Sequence, residues 1–261
     1  MIKSRLLKWS LLLLAATAAA VSMYNVGLLN ASAISRGLAN TLLFIKGLFP
    51  PDFSVLSSLL KATLETLQIA YLGTIGGFLM ALPLAMAATR TVFSPALTTP
   101  IRFLLVLIRT IPSLLWALIF VVAFGLGPMA GTFGIAFYTS GYLGKLLYEA
   151  FEGVDQEVLE AVRSVGCNRL QLMRFAVLPE SANAIVSLLL FIFEYNVRAS
   201  AIIGFVGAGG IGFYMLGYVQ LLQYQNLTTA ILVTLAVVLL IDQASAKLRE
   251  WILPSSRSAL R

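Results

Sequence analysis

Long apolar runs recur along this chain and alternate with short polar segments. Six of the runs are long enough to cross a membrane, since a transmembrane helix needs about 20 mostly apolar residues. None shows period-two alternation, which favours helices over a membrane β-barrel. An amphipathic segment that starts at Phe53 leads into the second run. The predicted spans are residues 9–29, 67–88, 101–124, 130–148, 182–205 and 227–246.

Composition supports the same class of protein. Hydrophobic residues make up 59% and charged residues 11% of the 261 residues, whereas a soluble domain typically carries about 25% charged residues. A water-facing surface cannot be built from so few charges. The sequence therefore predicts an all-α integral membrane protein, and we interpret residues 1–261 as a single transmembrane domain.

The basic residues predict the orientation. The net charge is +7, and Lys and Arg are enriched in cytoplasmic segments of membrane proteins. With a cytoplasmic N-terminus, thirteen basic residues fall in the inner segments, and only Arg36, Lys46 and Lys61 fall in the outer ones. We therefore expect both termini in the cytoplasm, one large inner loop over residues 145–181, and no nucleic-acid partner.

The first apolar run has two interpretations. Lys3, Arg5 and Lys8 precede it and the small residues 31–33 follow it, a pattern that resembles a secretory signal peptide with its cleavage site. Because the run is long enough to span, we favour a retained helix. The topology of the remaining chain is the same in both cases.

The chain offers little catalytic chemistry. It contains no histidine, which removes the commonest general base and metal ligand, and its one cysteine, Cys167, excludes an intrachain disulfide. An integral membrane enzyme is a weak alternative, because no nucleophile–base pair or cluster of metal ligands is visible. We predict no catalytic residue and no metal site.

The segment GFVGAGGIGFYM, residues 204–215, matches the dinucleotide-binding pattern G-x-G-x-x-G. That pattern requires a preceding strand, a following helix and an acidic residue about 20 positions later, and the next acid, Asp242, is too far away. Glycines also permit close backbone approach and irregular backbone, which at membrane depth occurs inside protein or along a water-filled path. We interpret the segment as an extracytoplasmic gate, with close packing at a dimer contact as the alternative.

Charges inside the predicted spans are candidates for a transport path. Glu194 and Arg198 lie four residues apart on one helical face, and we interpret them as an ion pair that lowers the cost of insertion, at least about 2.5 kcal/mol for one charge at mid-bilayer. In the alternative interpretation Arg198, with Asn196 near it, meets an anionic substrate. Asp242 is expected to snorkel or to pair with a basic residue of its own span, Lys247 or Arg249.

Arg109 lies in a predicted span that has no acidic residue. Pro112 follows one turn later and should free a backbone carbonyl. Arg109 is expected to bind such a carbonyl, to line a cavity where its planar guanidinium fits an oxyanion, or to snorkel to an interface.

The large inner loop has a helical pattern of its own. Apolar residues recur at helical spacing over residues 154–165, and Gly166 is expected to end this helix. A second short helix is expected from Asn168 to just before Pro179. A charged surface bearing helices on an otherwise apolar protein is suited to docking a soluble partner.

The segment EAVRSVGCNRLQLMRFAVLP, residues 160–179, resembles the cytoplasmic coupling loop of ABC importer permeases. The pattern of that loop is Glu-Ala-Ala, three residues, Gly, nine residues, an apolar residue, any residue, then Leu-Pro. Val162 and Ala176 depart from that pattern but stay apolar. Further segments resemble the phosphonate-import branch of these permeases, namely FPPDFS at 49–54, RTIP at 109–112, FGLGPMAG at 124–131 and FEYNVRASAIIGFVGAGGIG at 193–212.

The resemblance implies a type I ABC importer permease fold with about six transmembrane helices and a cytoplasmic coupling helix within residues 149–180. It implies a subunit in the bacterial inner membrane, surrounded by lipid, that forms the path for phosphonate or a related phosphorus oxyanion such as phosphite, hypophosphite or phosphate. The implied partners are two ABC ATPase subunits, an extracytoplasmic phosphonate-type solute-binding protein and a second permease copy. A homodimer is also expected because no internal repeat is visible and one bundle has no place for a central path.

ATP and Mg²⁺ are expected to act only in the partner ATPase, because the chain lacks the phosphate loop G-x-x-x-x-G-K-[ST] and binds no cofactor directly. The alternative function is a stand-alone secondary transporter or channel for small anions, which would need its own proton or ion site. The predicted ATPase-coupling residues are Val158, Glu160, Ala161, Gly166, Cys167, Leu178 and Pro179. The predicted path or gate residues are Arg109, Glu194, Asn196, Arg198, Gly207, Gly209, Gly210 and Gly212.

Overall fold

The computed structural model describes the backbone of residues 2–252 and the side chains from residue 8 onward. Arg257 and Arg261, which contribute to the predicted orientation, lie outside the described residues. The chain groups into two compact units that divide between Pro51 and Asp52. Each unit is described by itself, and the single permease domain stays a prediction.

The first unit contains two helices. α1 (Ile2–Asn25) carries most of the first predicted span, and α2 (Ala31–Gly47) was not predicted. Gly27, with a φ of +80°, lies in the turn between them. The side chain of Asn30 caps α2 by accepting a hydrogen bond of 3.1 Å from the Ala33 N–H, as is typical of a helix N-terminus.

The second unit begins with a short 3-10 helix, Phe53–Val55. Asp52 caps this helix, and its carboxylate accepts a 2.8 Å hydrogen bond from the Ser54 N–H. Hydrogen bonding to Ser54 lowers the pKa of Asp52 below its ordinary value. The α-helices that follow are α3 (Leu56–Ala88), α4 (Pro95–Thr110), α5 (Ser113–Phe124), α6 (Pro128–Glu152), α7 (Gln156–Ser164), α8 (Arg169–Leu172), α9 (Leu178–Glu180), α10 (Ala182–Ile203), α11 (Ile211–Gln220) and α12 (Tyr224–Ile252).

Three helical segments of the described chain are long and apolar enough to cross a membrane: Phe53–Ala88, Ala182–Val206 and Tyr224–Ile252. They correspond to the second, fifth and sixth predicted spans. α6 holds the fourth predicted span within its 25 residues, but glycine, threonine and tyrosine residues lower its hydropathy. The expected count of six spans stays a prediction.

The third predicted span is wrong as one continuous helix. α4 and α5 meet at an angle of 85° across Ile111 and Pro112, and the bent pair counts as a fourth span only if taken together. Proline lacks an N–H and disfavours helical backbone in the preceding residue, and Ile111 is accordingly extended, with a ψ of 122°. The Ile108 carbonyl, one turn before Pro112, accepts a 2.9 Å hydrogen bond from Trp116 Nε1.

α6 is the central helix of the second unit and packs against α3, α4, α5 and α10. Glycines permit the close approach. A Cβ atom built on Gly134 would lie 2.7 Å from the Ala117 Cα atom of α5, and one on Gly141 would lie 2.7 Å from the Ile108 side chain of α4. Small residues at helix contacts are typical of membrane bundles, where close packing replaces the hydrophobic effect as the driving force.

The bundle has two distinct ends. At the end that we call the glycine end, the loop of residues 204–210 meets the turn before α6, where the Gly127 N–H donates to the Gly207 carbonyl at 2.9 Å. At the opposite end, which we call the α7 end, the Glu152 carboxylate accepts hydrogen bonds from the Arg90 N–H at 2.6 Å and from the Arg102 side chain. A cluster of buried apolar residues that includes Leu147, Phe151 and Leu159 fills this end.

Candidate functional site

The two short helices predicted on either side of Gly166 are present at the α7 end. Asp155 Oδ1 accepts from the Glu157 N–H at 3.1 Å and caps α7. Gly166 has a φ of +79°, a left-handed conformation that glycine adopts at little cost. Asn168 and Gln171 form a reciprocal capping box that starts α8. The second helix extends further than predicted, because a π-helical turn (Met173–Val177) and α9 continue it past Pro179.

The buried side of this region fixes it to the bundle. Leu159 of α7 and Leu172, Met173 and Val177 of the following segment are all buried in the apolar cluster of the α7 end. Arg163 Nη2 also donates to the Thr91 carbonyl, in the loop between α3 and α4, at 2.6 Å. α7 and the segment that follows it therefore share one buried apolar cluster with residues of α3, α4, α6 and α10.

The opposite side carries exposed apolar side chains. Val165, Leu170 and Phe175 are 82%, 68% and 63% exposed, and the Arg174 guanidinium lies 5.6 Å from the Phe175 ring centre. We call these three apolar residues the tip patch. The tip patch lies on a segment that also carries exposed charged residues, so it does not match a lipid-facing surface.

The predicted coupling residues divide between the two sides. Val158, Cys167 and Leu178 are half-buried against the apolar cluster. Glu160, Ala161, Gly166 and Pro179 are exposed. Among the described residues, Glu160 has no hydrogen-bond or ion-pair partner, and the cap of α7 is Asp155, so Glu160 does not act as a cap.

The predicted gate glycines lie together at the glycine end, after the end of α10. Gly207, Gly209 and Gly210 have φ values of +80°, +82° and +76°. A Cβ atom on Gly209 would lie 2.9 Å from the Pro128 backbone, and one on Gly212 would overlap the Ala201 carbonyl oxygen. Residues 206–226 lie between the fifth and sixth predicted spans, where no helix was predicted, and the structure forms α11 there.

Two side chains of α3 hold the glycine segment in place. Glu65 Oε1 accepts a hydrogen bond from the Gly210 N–H at 2.8 Å, and Thr66 Oγ1 accepts one from the Ile211 N–H at 2.8 Å. Both acceptors satisfy free N–H groups at the start of α11. Beside them lies an open cavity of about 240 Å³ lined by Glu65, Leu126, Gly127, Gly207, Gly209, Gly210, Phe213 and Tyr214.

The predicted ion pair between Glu194 and Arg198 is wrong. Arg198 Nη2 lies 2.5 Å and 2.6 Å from the two carboxylate oxygens of Asp242 in α12. Glu194 Oε1 instead lies 3.2 Å from Arg249 Nη2, so the pairing expected between Asp242 and Arg249 is also wrong. Because α12 packs along α10, each charge of α10 meets an opposite charge on the neighbouring helix.

Asn196 lies inside the bundle. It is fully buried, and its Nδ2 donates to Thr74 Oγ1 at 2.9 Å and to Thr139 Oγ1 at 3.0 Å. The side chain therefore connects α10 with α3 and α6. Arg198, by contrast, is about half exposed.

Arg109 lies at the end of α4, just before the 85° bend. The carbonyl that Pro112 frees is occupied by Trp116, and in the described part of the chain Arg109 makes no hydrogen bond or ion pair. Its Nε is buried without a partner. Of the three expectations for Arg109, bonding to the freed carbonyl is therefore wrong.

Residues 53–254 match the family described as the inner membrane component of binding-protein-dependent transport systems. The chain belongs to this family. The matched residues begin where the second structural unit begins, so the family resemblance predicted from residues 160–179 is confirmed.

The permease is similar to the phosphite transport system permease protein PtxC of Stutzerimonas stutzeri, with 36% identity over 88% of this chain and 84% of the relative. It is also 37% identical to the phosphate-import permease protein PhnE of Mycolicibacterium smegmatis, over 77% of this chain and 38% of that protein. Among solved structures, the MetNI methionine ABC transporter in an inward-facing conformation superposes with a TM-score of 0.67 at 21% identity, covering 77% of this permease and 99% of the matched chain. These similarities confirm the predicted all-helical fold of ABC importer permeases.

Several residues of the permease that shape the site were missed in the sequence. Glu65 and Thr66 lie 145 residues from the N–H groups that they bind, and no local pattern connects the two segments. The partners of Glu194 and Arg198 were misassigned for the same reason, since the i, i+4 rule considers one helix alone.

Proposed function

We propose that this permease is the transmembrane subunit of an ATP-driven importer for a phosphorus oxyanion: phosphonate, phosphite, hypophosphite or phosphate. The names of the relatives PtxC and PhnE support this substrate class. The observation that carries the proposal is the region α7–α9, which is anchored in the bundle through Leu159 and Met173 and presents the tip patch on its free side.

In this proposal α7 and the segment up to α9 form the cytoplasmic coupling helix. Exposed apolar side chains on an aqueous loop favour contact with a protein partner, and the partner here is one of two ABC ATPase subunits. Glu160 and Ala161 are exposed beside the tip patch and add to the contact surface. The buried anchors and the bond from Arg163 to Thr91 carry the motion of the ATPase into the bundle.

The assembly that follows contains two permease copies, two ATPase subunits that use ATP and Mg²⁺, and an extracytoplasmic solute-binding protein. The permease binds no cofactor itself. It lies in the bacterial inner membrane with both termini in the cytoplasm and six spans, formed by α1, α3, the bent pair α4–α5, α6, α10 and α12.

The glycine end faces the binding protein in this orientation. The segment of Gly207, Gly209 and Gly210 forms the outer gate, since its positive φ values let the backbone turn sharply against α3 and the start of α6. Glu65 and Thr66 hold the gate segment in the conformation of this structure.

Reconstitution tests the proposal. The permease is co-purified with its ATPase and placed in proteoliposomes with the binding protein on the outer side. We expect phosphite uptake that requires ATP and stops with vanadate. Gradient-driven uptake by the permease alone, without the ATPase, would contradict the proposal and support a stand-alone transporter.

The tip patch provides a second test with a matched control. Leu170→Asp places a carboxylate in the proposed ATPase contact and is expected to abolish co-purification of the ATPase. Gln156→Asp adds the same charge at an exposed position at the start of α7 and is expected to leave co-purification intact. Equal retention of the ATPase by both variants would exclude the tip patch as the contact.

A further inference from the structure

Three tyrosines form a cluster on one side of α6 and α10. The ring centres of Tyr138, Tyr142 and Tyr195 are separated by 5.9 Å to 6.1 Å, and the rings are nearly parallel. The hydroxyls of Tyr195 and Tyr138 are 3.4 Å apart. All three side chains are half-buried, so each presents part of its surface outside the described bundle. We call this group the tyrosine cluster.

The tyrosine cluster lies near the middle of α6 and α10 rather than at their ends. Tyr138 is about 15 Å and Tyr142 about 21 Å along α6 from Pro128, at 1.5 Å per residue. Tyr195 is about 20 Å along α10 from Ala182 by the same measure. Tyrosines that anchor helices at membrane interfaces lie near the helix ends, so an interfacial role does not fit this cluster.

The polar face continues along α6 towards the α7 end. Lys145 and Glu149 follow Tyr138 and Tyr142 at spacings of three and four residues, which keeps all four on one side of the helix. Lys145 Nζ and Glu149 Oε1 form a 3.0 Å ion pair, and both side chains are partly exposed. Both residues belong to the predicted inner loop, so the polar face of α6 leads from the tyrosine cluster to the predicted cytoplasmic end of the helix.

Arg109 reaches the same face from α4. A Cβ atom on Gly141 would lie 3.0 Å from the Arg109 backbone nitrogen, so the missing side chain lets Arg109 approach α6 beside Tyr138 and Tyr142. Within the described residues Arg109 has no acidic partner, and its Nε is buried and unpaired.

We propose that the tyrosine cluster, together with Arg109, is the surface of the translocation path that contacts the oxyanion. Three phenolic hydroxyls and one guanidinium supply hydrogen-bond donors to the oxygens of a phosphorus oxyanion. Only one of the four groups is charged, so the anion is stabilised at mid-membrane without being held too tightly to leave. The identity of the anion rests on the proposed function, whereas exposure of the cluster to water does not.

Thiol labelling tests whether the cluster lines a water-filled path. Tyr142→Cys is introduced into the complex of permease, ATPase and binding protein and treated with an anionic, water-soluble methanethiosulfonate. Tyr71→Cys is the matched control, because Tyr71 is a tyrosine of α3 that is 56% exposed and lies outside the cluster. Peptide mass spectrometry quantifies each site separately, so the native Cys167 needs no replacement.

We expect labelling at position 142, several times slower in the presence of phosphite, and no labelling at position 71. Absence of labelling at 142 in every nucleotide state would overturn the proposal and leave a lipid or dimer contact as the role of this face. Labelling that phosphite does not slow would overturn contact with the oxyanion. If the wild-type complex imports no phosphite, phosphonate or phosphate, the proposed function fails, while labelling at 142 still decides whether the face lines a path.

Uptake measurements test the hydroxyl groups themselves. Tyr142→Phe and Tyr195→Phe each remove one donor and keep the ring, and we expect phosphite uptake to fall roughly tenfold, the order expected when a hydrogen bond to a charged group is lost. ATPase activity stimulated by the binding protein should persist, which excludes misfolding as the cause. Tyr71→Phe should transport at the wild-type rate. Wild-type uptake by both cluster variants would overturn the proposal.

Discussion

The ion pair between Arg198 and Asp242 gives a sharp prediction about stability. Asp242→Asn removes the carboxylate whose oxygens lie 2.5 Å and 2.6 Å from Arg198 Nη2. Arg198 lies about 8 Å from the end of α10 at Ile203, and Asp242 lies about 15 Å from the end of α12, so both fall inside the predicted spans 182–205 and 227–246. The variant therefore leaves an unpaired guanidinium at depth.

The magnitude follows from the cost of that charge. An unpaired charge at the centre of a helix costs about 2.5 kcal/mol by insertion scales. The side chains of Arg198 and Asp242 are 48% and 36% exposed, which reduces the loss because solvent or lipid headgroups can screen part of the charge. We expect Asp242→Asn to lower the free energy of unfolding by about 2 kcal/mol.

A double-mutant cycle in mixed detergent micelles measures the coupling. Arg198→Gln combined with Asp242→Asn should be more stable than the sum of the two single changes predicts, with a coupling energy of about 2 kcal/mol. The matched cycle of Glu194→Gln with Arg198→Gln should give a coupling near zero, because these side chains do not pair. A larger coupling between Glu194 and Arg198 than between Arg198 and Asp242 would refute this reasoning.

Two further predictions concern the glycine end and the bundle interior. Gly209→Val should abolish uptake while the ATPase still co-purifies. The valine Cβ would lie 2.9 Å from the Pro128 backbone, and the φ of +82° at this position disfavours a branched residue. Normal uptake would exclude the gate assignment. Asn196→Leu should destabilise the permease by about 1–3 kcal/mol, because Thr74 and Thr139 lose their shared buried donor. Unchanged thermal unfolding of that variant would show that the interior bonds contribute little.

Local composition was sufficient to predict the long helices. α3, α10 and α12 correspond to long apolar runs with few charged residues, and such a run crosses the membrane wherever its neighbours lie. The short helices beside Gly166 were predicted from apolar spacing and a glycine stop. These features depend on residues close together in the sequence.

Features that depend on tertiary contacts were not predicted. Pro112 was expected to free a backbone carbonyl, but neither the 85° bend between α4 and α5 nor the bond from Trp116 to that carbonyl was predicted. The partners of Arg198 and of the gate glycines come from distant helices. α11 was missed because its ten residues, which include Gly212 and Gly217, are too few to separate a short helix from a loop.

The tyrosine cluster was missed although part of its signal is local. Tyr138 and Tyr142 lie within the predicted span 130–148, and Lys145 and Glu149 continue the same helical spacing at its inner end. Polar residues on one face of a membrane helix indicate a path or a contact. The contributions of Tyr195 and Arg109 became visible only when α4, α6 and α10 were packed together.

The central claim is that an ATPase drives this permease by moving α7 and its neighbouring short helices. A photocrosslinking side chain at Leu170, in the tip patch, tests it most directly in the transporting complex, with one at Phe213 near the glycine end as the control. The account predicts crosslinks from position 170 to the ATPase and from position 213 to the binding protein. Crosslinks from position 170 to the binding protein, or none to the ATPase while uptake continues, would contradict it.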